Sequence, residues 1–318
     1  MTEAGRSVLH PKHISARRRE WNKTLLGLAF ISPWLLGFLW LILYPLFASL
    51  YYGFTEYAIL TPPKWVGAEN FITMFTKDKL FWTSVGNTLY YVAISVPLST
   101  VFSIALALLL NAKVRGMSIY RTVYYFPTVV PVIASVMLWA WILNPQAGPL
   151  NYLLGLLGIQ GPGWLSDPHW SKPALIILGL WGLGGATVIY LAGLQDVPTH
   201  LYEAAELDGA SGIQKILFVT IPLLTPVILF NVIMGLIGGF QYFSQAFLGS
   251  AIGAGGQGTG IGAPMNSLLF YNLYLYRNAF GYFQMGYASA MAWVLLVFVL
   301  LLTLLIFKLT GRFVYYAR

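Results

Sequence analysis

The chain has 318 residues, of which 58% are hydrophobic and only 9% are charged, and it contains no cysteine. A soluble domain carries about 25% charged residues, so this composition excludes a soluble protein and predicts that lipid covers most of the surface. The net charge of +8 does not indicate nucleic-acid binding, because the basic residues flank apolar segments instead of forming one clustered face. The lack of cysteine excludes disulfides, thiolate chemistry and Cys-ligated zinc.

Six segments are apolar over the ~20 residues that a helix needs to cross ~30 Å of hydrocarbon. They predict an all-α, polytopic membrane protein in which residues 25–311 form a six-helix transmembrane domain, with tails at 1–24 and 312–318. No signal peptide is expected, because the apolar stretch after Arg17, Arg18 and Arg19 is too long for one and lacks a clear cleavage site. The predicted spans are Leu25–Tyr52, Ser84–Asn111, Ile119–Leu143, Pro173–Leu194, Pro222–Leu248 and Met285–Leu309.

The distribution of Lys and Arg predicts the orientation, since these residues are retained in the cytoplasm. With the N-terminus inside, the inner segments hold 13 of the 18 basic residues and the outer segments hold five. Both termini are therefore expected on the cytoplasmic side of the membrane. The five outer basic residues are Lys64, Lys77, Lys79, Lys172 and Arg277.

Two of the predicted outer connections have a distinct composition. Asn144–Trp170 contains the apolar run Leu150–Ile159, which predicts a short helix lying in the membrane interface. Ser250–Pro264 is rich in glycine and is expected to be a mobile loop. Its G-x-G-x-x-G pattern lacks the strand and helix of a dinucleotide site. The pattern consists of Gly253, Gly255 and Gly258.

The inner segment Val197–Pro222 is unusual because acidic residues are concentrated there. Thr199 is predicted to cap a first helix that runs through Leu207. Gly209 stands where that helix ends, because glycine tolerates the left-handed conformation that stops a helix.

A second short helix is predicted after this turn. Ser211 and Gln214 have the spacing of a capping box, Ile213 lies on its apolar face, and the helix is expected to stop at Pro222. From the residues alone the segment is equally a solvated connector or a docking element, since loops often carry function.

The residues of this segment resemble the EAA motif of membrane subunits of binding-protein-dependent ABC importers. The resemblance consists of Glu203–Ala205, Gly209 and Val219-x-Ile221-Pro222; the family pattern has Ile and Leu where Val219 and Ile221 stand. The stretch Arg121–Pro145 also resembles the carbohydrate-importing branch, of the first-permease type related to maltose and glycerol-phosphate permeases. The resemblance extends over essentially the whole chain.

This resemblance implies a multi-subunit importer in a bacterial-type plasma (inner) membrane. The chain would pair with a second, related membrane subunit, two cytoplasmic ATPases and an external solute-binding protein. Glu203 would pair with a basic residue of the ATPase, with Leu207 and Ile213 as apolar contacts, and Asp208 would form local hydrogen bonds. The implied coupling residues are Glu203, Ala204, Ala205, Glu206, Leu207, Asp208, Gly209, Ile213 and Pro222.

The chain itself is expected to carry out no covalent chemistry. It has no G-x-x-x-x-G-K-[ST] phosphate loop, and its four histidines lack metal-ligand spacing. No cofactor or metal is therefore expected on this chain, and ATP and magnesium would bind the partner ATPase.

Polar residues within the fourth and fifth spans are candidates for the transport path, since such residues are costly in a membrane unless they face protein or water. Amides and aromatic rings suit sugar hydroxyls and ring faces, and the near-lack of charge favours a neutral solute. The same groups could instead join helices, with Gly235 and Gly239 as a packing face. The candidates are Trp181, Gly182, Gly184, Thr187, Asn231, Gln241, Tyr242 and Gln245.

Two other classes of membrane protein compete with the importer. An ion-coupled secondary transporter would be expected to carry ionisable residues in its spans or an inverted repeat, and neither is visible. A structural scaffold would not need the EAA-like element. Within the importer class, a non-sugar solute such as glycerol phosphate remains an alternative to a sugar or oligosaccharide.

Overall fold

The computed structural model describes residues 16–112, 114–255 and 260–311 of the chain. The predicted tail at 312–318, residues 1–15 of the N-terminal tail and Gly258 of the glycine pattern lie outside these residues. The chain divides into two compact units, residues 1–51 and 52–318. The first unit contains α1 (Ala16–Phe38), a π-helical turn (Leu39–Leu43) and nearly all of α2 (Tyr44–Gly53).

The second unit is also helical apart from one small hairpin. Its strands β1 (Thr55–Glu56) and β2 (Lys64–Trp65) are antiparallel, with Thr55 opposite Trp65. Its α-helices are α3 (Glu69–Thr76), α4 (Lys79–Leu110), α5 (Met117–Tyr125), α6 (Val132–Ile142), α7 (Pro149–Leu156), α8 (Ser171–Trp181), α9 (Gly184–Gln195), α10 (Thr199–Leu207), α11 (Gly212–Lys215), α12 (Ile221–Phe240), α13 (Ser244–Gly253), α14 (Tyr271–Tyr276) and α15 (Met285–Thr310).

Four helical stretches are long and apolar enough to cross a membrane, and two bent pairs raise the number to six if each pair is one span. This count agrees with the six predicted spans. The four stretches are Lys23–Gly53, Lys79–Leu110, Gly212–Phe240 and Met285–Thr310, and the pairs are Met117–Val129 with Val132–Ile142 and Ser171–Trp181 with Gly184–Gln195.

The third and fourth predicted spans are not straight helices. The third bends by 101° between Val129 and Val132. Val130 is extended there (φ −70°, ψ 129°), as expected for a residue that precedes a proline. The fourth bends by 48° between Trp181 and Gly184.

The bounds predicted for the fifth span are wrong at both ends. The helix begins at Gly212 and ends at Phe240, whereas Pro222–Leu248 was predicted. Two glycines, Gly238 and Gly239, weaken the last turn because glycine is a poor helix former. Ser244–Gly253 is consequently a separate helix, α13.

The loop expected at Ser250–Pro264 is structured where the chain is described. Ser250 and Gly253 belong to α13, and the backbone N–H of Gly262 donates to the buried Ser250 Oγ at 3.1 Å. By contrast, the short helix predicted within Asn144–Trp170 is present as α7.

The core of the second unit is built around α4, which contacts α8, α9, α12 and α14. Small residues allow these close approaches. A Cβ added to Gly239 of α12 would lie 2.8 Å from the Val92 side chain, and one added to Gly235 would lie 3.4 Å from that of Val96. The two glycines therefore form a packing face against α4, the arrangement that small-xxx-small sequences favour in membranes.

Candidate functional site

The segment between α9 and α12 folds as a helix, a left-handed glycine and a second helix. α10 ends at Leu207, and Gly209 has φ +78°. The N–H of Gly209 donates to Glu206 O and the N–H of Ala210 donates to Ala205 O, which is the Schellman pattern of a helix end. A Cβ on Gly209 would meet nothing within 4 Å, so the left-handed backbone, and not crowding, favours glycine here.

The two helices of this segment begin differently. Ser211 N–H donates to Gln214 Oε1 at 2.7 Å, and Gln214 N–H donates to Ser211 Oγ at 3.4 Å, which confirms the capping box. The cap predicted at Thr199 is wrong. Thr199 lies inside α10, and the preceding Pro198 (φ −62°, ψ 128°) holds the non-helical cap position without a side-chain hydrogen bond.

The acidic residues of the segment differ in their surroundings. Glu206 Oε2 lies 3.5 Å from Lys215 Nζ, a contact in which Glu206 is exposed and Lys215 is half-buried, so solvent screens it in part. Glu203 is exposed, and neither its carboxylate nor that of Asp208 has an ion-pair or hydrogen-bond partner in the described part of the chain. The local hydrogen bonding expected of Asp208 is limited to its backbone N–H, which donates to Ala204 O.

Apolar side chains project from this otherwise polar segment. Leu207 is 91% exposed and Ile213 is 71% exposed, and Phe218 is exposed beyond them. Each of these side chains is therefore available for contact with another molecule.

The second helix of the segment does not stop at Pro222. α11, the π-helical turn Ile216–Thr220 and α12 form one continuous helix, Gly212–Phe240. Within the turn the N–H of Ile221 reaches back five residues to Ile216 O. The wider turn accommodates Pro222 at the start of α12, a position where a proline is tolerated.

One hydrogen bond links α10 to this long helix. The hydroxyls of Tyr202 and Thr220 are 2.9 Å apart, and Thr220 is buried. The Thr220 hydroxyl also lies 3.3 Å from Lys215 O. α10 is thus tied by a side chain to the π-helical turn that leads into α12.

The candidate residues of the fourth span divide between packing and the bend. A Cβ added to Gly184 would lie 2.6 Å from Tyr124 O, and the buried Thr187 donates to Leu183 O. Gly184 therefore serves the close contact of α9 with α5, and Thr187 forms a hydrogen bond within its own helix. Trp181 meets Trp139 edge to face at 6.3 Å, and Gly182 is exposed at the bend.

The candidates of the fifth span lie at its end or bond within it. Asn231 Nδ2 donates to Val227 O, one turn earlier in α12, so this amide group of Asn231 bonds within its own helix. Gln241 follows the last residue of α12 and is exposed, whereas Gln245 lies in α13 and is half-buried.

Tyr242 is the candidate with the most distinctive surroundings. Its ring stacks on that of Tyr91 with centroids 4.3 Å apart. Its hydroxyl is buried and has no hydrogen-bond partner among the described residues, an unusual state for a buried polar group. Tyr242 lines a cavity of about 190 Å³ together with Tyr91, Ser95, Val96, Ser99, Ile176, Gly179, Leu180, Gly235, Gly238 and Gly239.

The predicted path residues therefore do not share one cavity. Gly184 and Thr187 line a second cavity of about 290 Å³, next to Arg121, Tyr124 and Gln195. The sequence prediction missed the contribution of α4 to the Tyr242 cavity. The missed signal is the spacing of Asn87, Tyr91, Ser95 and Ser99, since residues four apart share a helix face.

A carboxylate at the start of α4 was also missed. Asp78 Oδ1 caps the helix by accepting from Leu80 N and Phe81 N. Its Oδ2 accepts from the hydroxyls of Tyr274 and Tyr287, at 2.6 and 2.5 Å. Burial and the Asp78 contact raise the pKa of the Tyr274 phenol above its usual value, so Tyr274 remains a donor at neutral pH. Asp78 joins α4 to α14 and α15.

Comparisons with known proteins place this arrangement in context. Residues 99–314 match the model of the family described as "Binding-protein-dependent transport system inner membrane component". The chain is 42% identical over 294 residues to the probable ABC transporter permease protein YesP of Bacillus subtilis (strain 168), with 92% of each chain covered. It is 32% identical over 298 residues to the trehalose/maltose transport system permease protein MalF of Thermococcus litoralis, covering 92% of this chain and 96% of that one.

A solved structure shares the fold. It is a chain of a bacterial ABC transporter involved in the import of the acidic polysaccharide alginate, with a TM-score of 0.79, 23% identity, and coverage of 94% of this chain and 99% of that one. The fold and the apolar helices together define a multi-pass membrane permease. The chain belongs to the family of binding-protein-dependent transport system inner membrane components, the permease subunits of ABC importers.

Proposed function

We propose that this chain and a second, related membrane subunit enclose the path of a sugar or oligosaccharide delivered by an external solute-binding protein. The proposal is supported by the relative named for trehalose and maltose transport, which matches over nearly the full length of both chains. The alginate transporter in a related structure is seen with a periplasmic protein that holds an alginate pentasaccharide, which favours a solute-binding partner here.

The proposed path runs past the end of α12. The Tyr242 hydroxyl is buried without a partner among the described residues, and Gln241 next to it is exposed. A sugar hydroxyl would give the Tyr242 hydroxyl the hydrogen bond that it lacks. Gln241, Gln245, Trp181 and Gly182 would complete this chain's side of the path, whereas Gly184, Thr187 and Asn231 would support it through the helix contacts described above.

Movement of the membrane helices would be driven from the other end of the helix that ends at Phe240. The segment exposes one carboxylate, Glu203, and two apolar side chains, Leu207 and Ile213, groups that would suit a cleft on an ATPase that offers a basic residue. The observation that carries the coupling role is the continuous helix Gly212–Phe240. Its 29 residues span about 43 Å at 1.5 Å per residue, so a shift at Ile213 would be transmitted to Gln241 and Tyr242.

The chemistry of energy conversion would belong to the partners. Permease subunits are not enzymes, and among the described residues no group of three or more His, Asp or Glu could hold a metal ion. Two ATPase subunits would bind ATP and magnesium on the cytoplasmic side.

A charge reversal tests the coupling role. Glu203→Lys places a positive charge where a basic ATPase residue is expected, and breaking a buried charge pair costs about 2–5 kcal/mol. We expect loss of ATPase co-purification, or loss of ATP turnover stimulated by the binding protein in reconstituted vesicles. Asp196→Lys is the matched control, because Asp196 is also exposed and the change in charge is the same. Equal turnover in both variants and the parent would contradict the proposal.

A further inference from the structure

An apolar groove of about 320 Å³ lies between α4 and α15, two helices that are each long and apolar enough to cross a membrane. Phe75 of α3, Phe240 of α12 and Tyr271 of α14 complete its wall. Trp82 and Leu89 of α4 also line the groove, and their side chains are 54% and 43% exposed. The groove is therefore open at the surface of these helices.

The polar groups in the wall of the groove are engaged with the protein itself. The Thr88 hydroxyl donates within α4 and accepts from Tyr271 N–H at 2.9 Å. The Tyr271 hydroxyl donates to Met291 O at 2.7 Å, and the indole N–H of Trp82 donates to Phe75 O at 3.1 Å. Because apolar cavities stay dry and bind apolar ligands, this wall suits a hydrocarbon chain and not a sugar.

Two lysines lie at one end of the groove. Lys79 is the first residue of α4, three positions before Trp82, and residues three apart share a helix face. Lys77 follows the end of α3, two positions after Phe75. Both lysines are exposed, and in the described residues neither lies within 4.0 Å of a carboxylate. The carboxylate of Asp78, which stands between them in the chain, is engaged in the cap of α4 and with two tyrosines.

The groove has the depth of one membrane leaflet. From Lys79 to Leu89, α4 rises by about 15 Å at 1.5 Å per residue, which is half of the ~30 Å hydrocarbon core of a bilayer. Trp82, near the lysine end, fits the interfacial level that tryptophan prefers. The apolar part of the groove thus matches one acyl chain, and the lysines stand at the level of the headgroups.

We propose that this groove binds one acyl chain of an anionic phospholipid, and that Lys77 and Lys79 bind the phosphate of its headgroup. An ammonium group and a phosphate oxygen form a charge-assisted hydrogen bond, which is stronger than a neutral one. The apolar face of another protein helix would fill the groove but would leave both lysines without a counter-ion. The proposal does not depend on the solute or on the coupling role proposed above.

The bound chain would also support the end of α12. Phe240 is the last residue of that helix, and its ring meets the ring of Phe298 edge to face, with centroids 5.2 Å apart. Both residues line the groove. An acyl chain would therefore pack against the contact that joins α12 to α15.

Photo-crosslinking locates the lipid. The purified transporter complex is placed in phosphatidylcholine nanodiscs that contain a trace of a probe lipid with a diazirine in one acyl chain, either phosphatidylglycerol or phosphatidylcholine, and labelled peptides are identified by mass spectrometry. Residues 82–89 and 294–298 should be labelled about 5-fold or more in favour of the phosphatidylglycerol probe, since anionic lipids are attracted by nearby lysines. Lys77→Gln combined with Lys79→Gln should bring this ratio close to one, and Lys79→Arg should keep it.

Two controls separate this site from general effects. Lys64→Gln removes an exposed lysine of β2 and should leave the ratio unchanged. Leu89→Trp narrows the groove and should lower its labelling by both probes. Leu300→Trp is the matched control, because Leu300 is an exposed leucine of α15, and it should leave the labelling as in the parent.

Three results would overturn the proposal. Equal labelling of the groove by the two probes, or a preference that survives the loss of both lysines, would mean that ordinary bilayer lipid fills the groove. A groove that neither probe labels in the assembled complex would mean that a partner subunit covers it. ATP turnover is scored separately, because its loss without a change in labelling would count against the proposed function instead.

Discussion

Gly209 sets the direction of the second helix of the proposed coupling segment, Val197–Pro222. Its φ is +78°, and a left-handed backbone costs other residues roughly 1–2 kcal/mol, least for Asn. Gly209→Val should therefore weaken co-purification of the ATPase and stimulated ATP turnover, whereas Gly209→Asn should retain most of both. The space around this position is open, so a loss in both variants would indicate a direct partner contact instead of a backbone requirement.

Tyr242 allows the role of one hydroxyl to be isolated. Tyr242→Phe keeps the ring stacked on Tyr91 and removes an oxygen that has no partner among the described residues. Because no protein hydrogen bond is lost, thermal stability of the complex should be unchanged or slightly higher. If the hydroxyl binds solute, the apparent KM for uptake should rise by about 2- to 12-fold, since such a bond contributes ~0.5–1.5 kcal/mol.

Gln241→Ala gives a companion measurement, because Gln241 is exposed and its loss should leave the fold intact. Uptake is compared at matched membrane levels of each variant. Parent-like uptake in both Tyr242→Phe and Gln241→Ala would remove the end of α12 from the path.

The sequence predicts well those helices and turns that depend on residues close together in the chain. The end of α10, the left-handed Gly209 and the capping box of Ser211 and Gln214 all follow from residues within one turn of each other. The sixth span, Met285–Thr310, also matches, because an uninterrupted apolar run leaves few choices.

The predictions that failed depended on residues distant in sequence or on how a helix accommodates a proline. Pro222 is predicted to end the helix, but a π-helical turn allows the helix to continue through it. The third span is predicted as one segment, Ile119–Leu143, yet the chain bends by 101° beside Pro131. The hydrogen bond of Lys172 with Asn87 could not be predicted from the sequence, because the two residues are 85 positions apart.

The link between Tyr202 and Thr220 gives a prediction for the coupling segment as a mechanical element. Tyr202→Phe removes the hydroxyl contact between α10 and the long helix but keeps the ring and the ion pair of Glu206 with Lys215. ATPase attachment should persist, but stimulated ATP turnover should produce less uptake per ATP hydrolysed. Tyr152→Phe is a control, because Tyr152 is exposed in α7 and its hydroxyl has no partner in the described chain.

Across the whole molecule, the proposed site is divided between two ends of one helix. α12 ends at the Tyr242 cavity, and its continuation through α11 begins next to the exposed Ile213. Much of the apolar surface faces outward, including Leu300 and Leu304 of α15, as expected for a chain that lipid and a second membrane subunit cover. This division explains why the sequence pointed to both proposed regions without showing that one helix joins them.

The number of membrane crossings can be tested with single cysteines, since the chain has none of its own. Lys64, Arg115, Tyr152 and Glu206 are exposed and are separated by α4, by the pair bent at 101° and by the pair bent at 48°. If each pair crosses the membrane, an impermeant maleimide should label cysteines at 64 and 152 in intact cells, and those at 115 and 206 only after permeabilisation. If the sharply bent pair is instead re-entrant, position 152 would share the side of position 115, and position 206 would be labelled from outside. That result would also remove the coupling segment from the cytoplasm, where an ATPase could reach it.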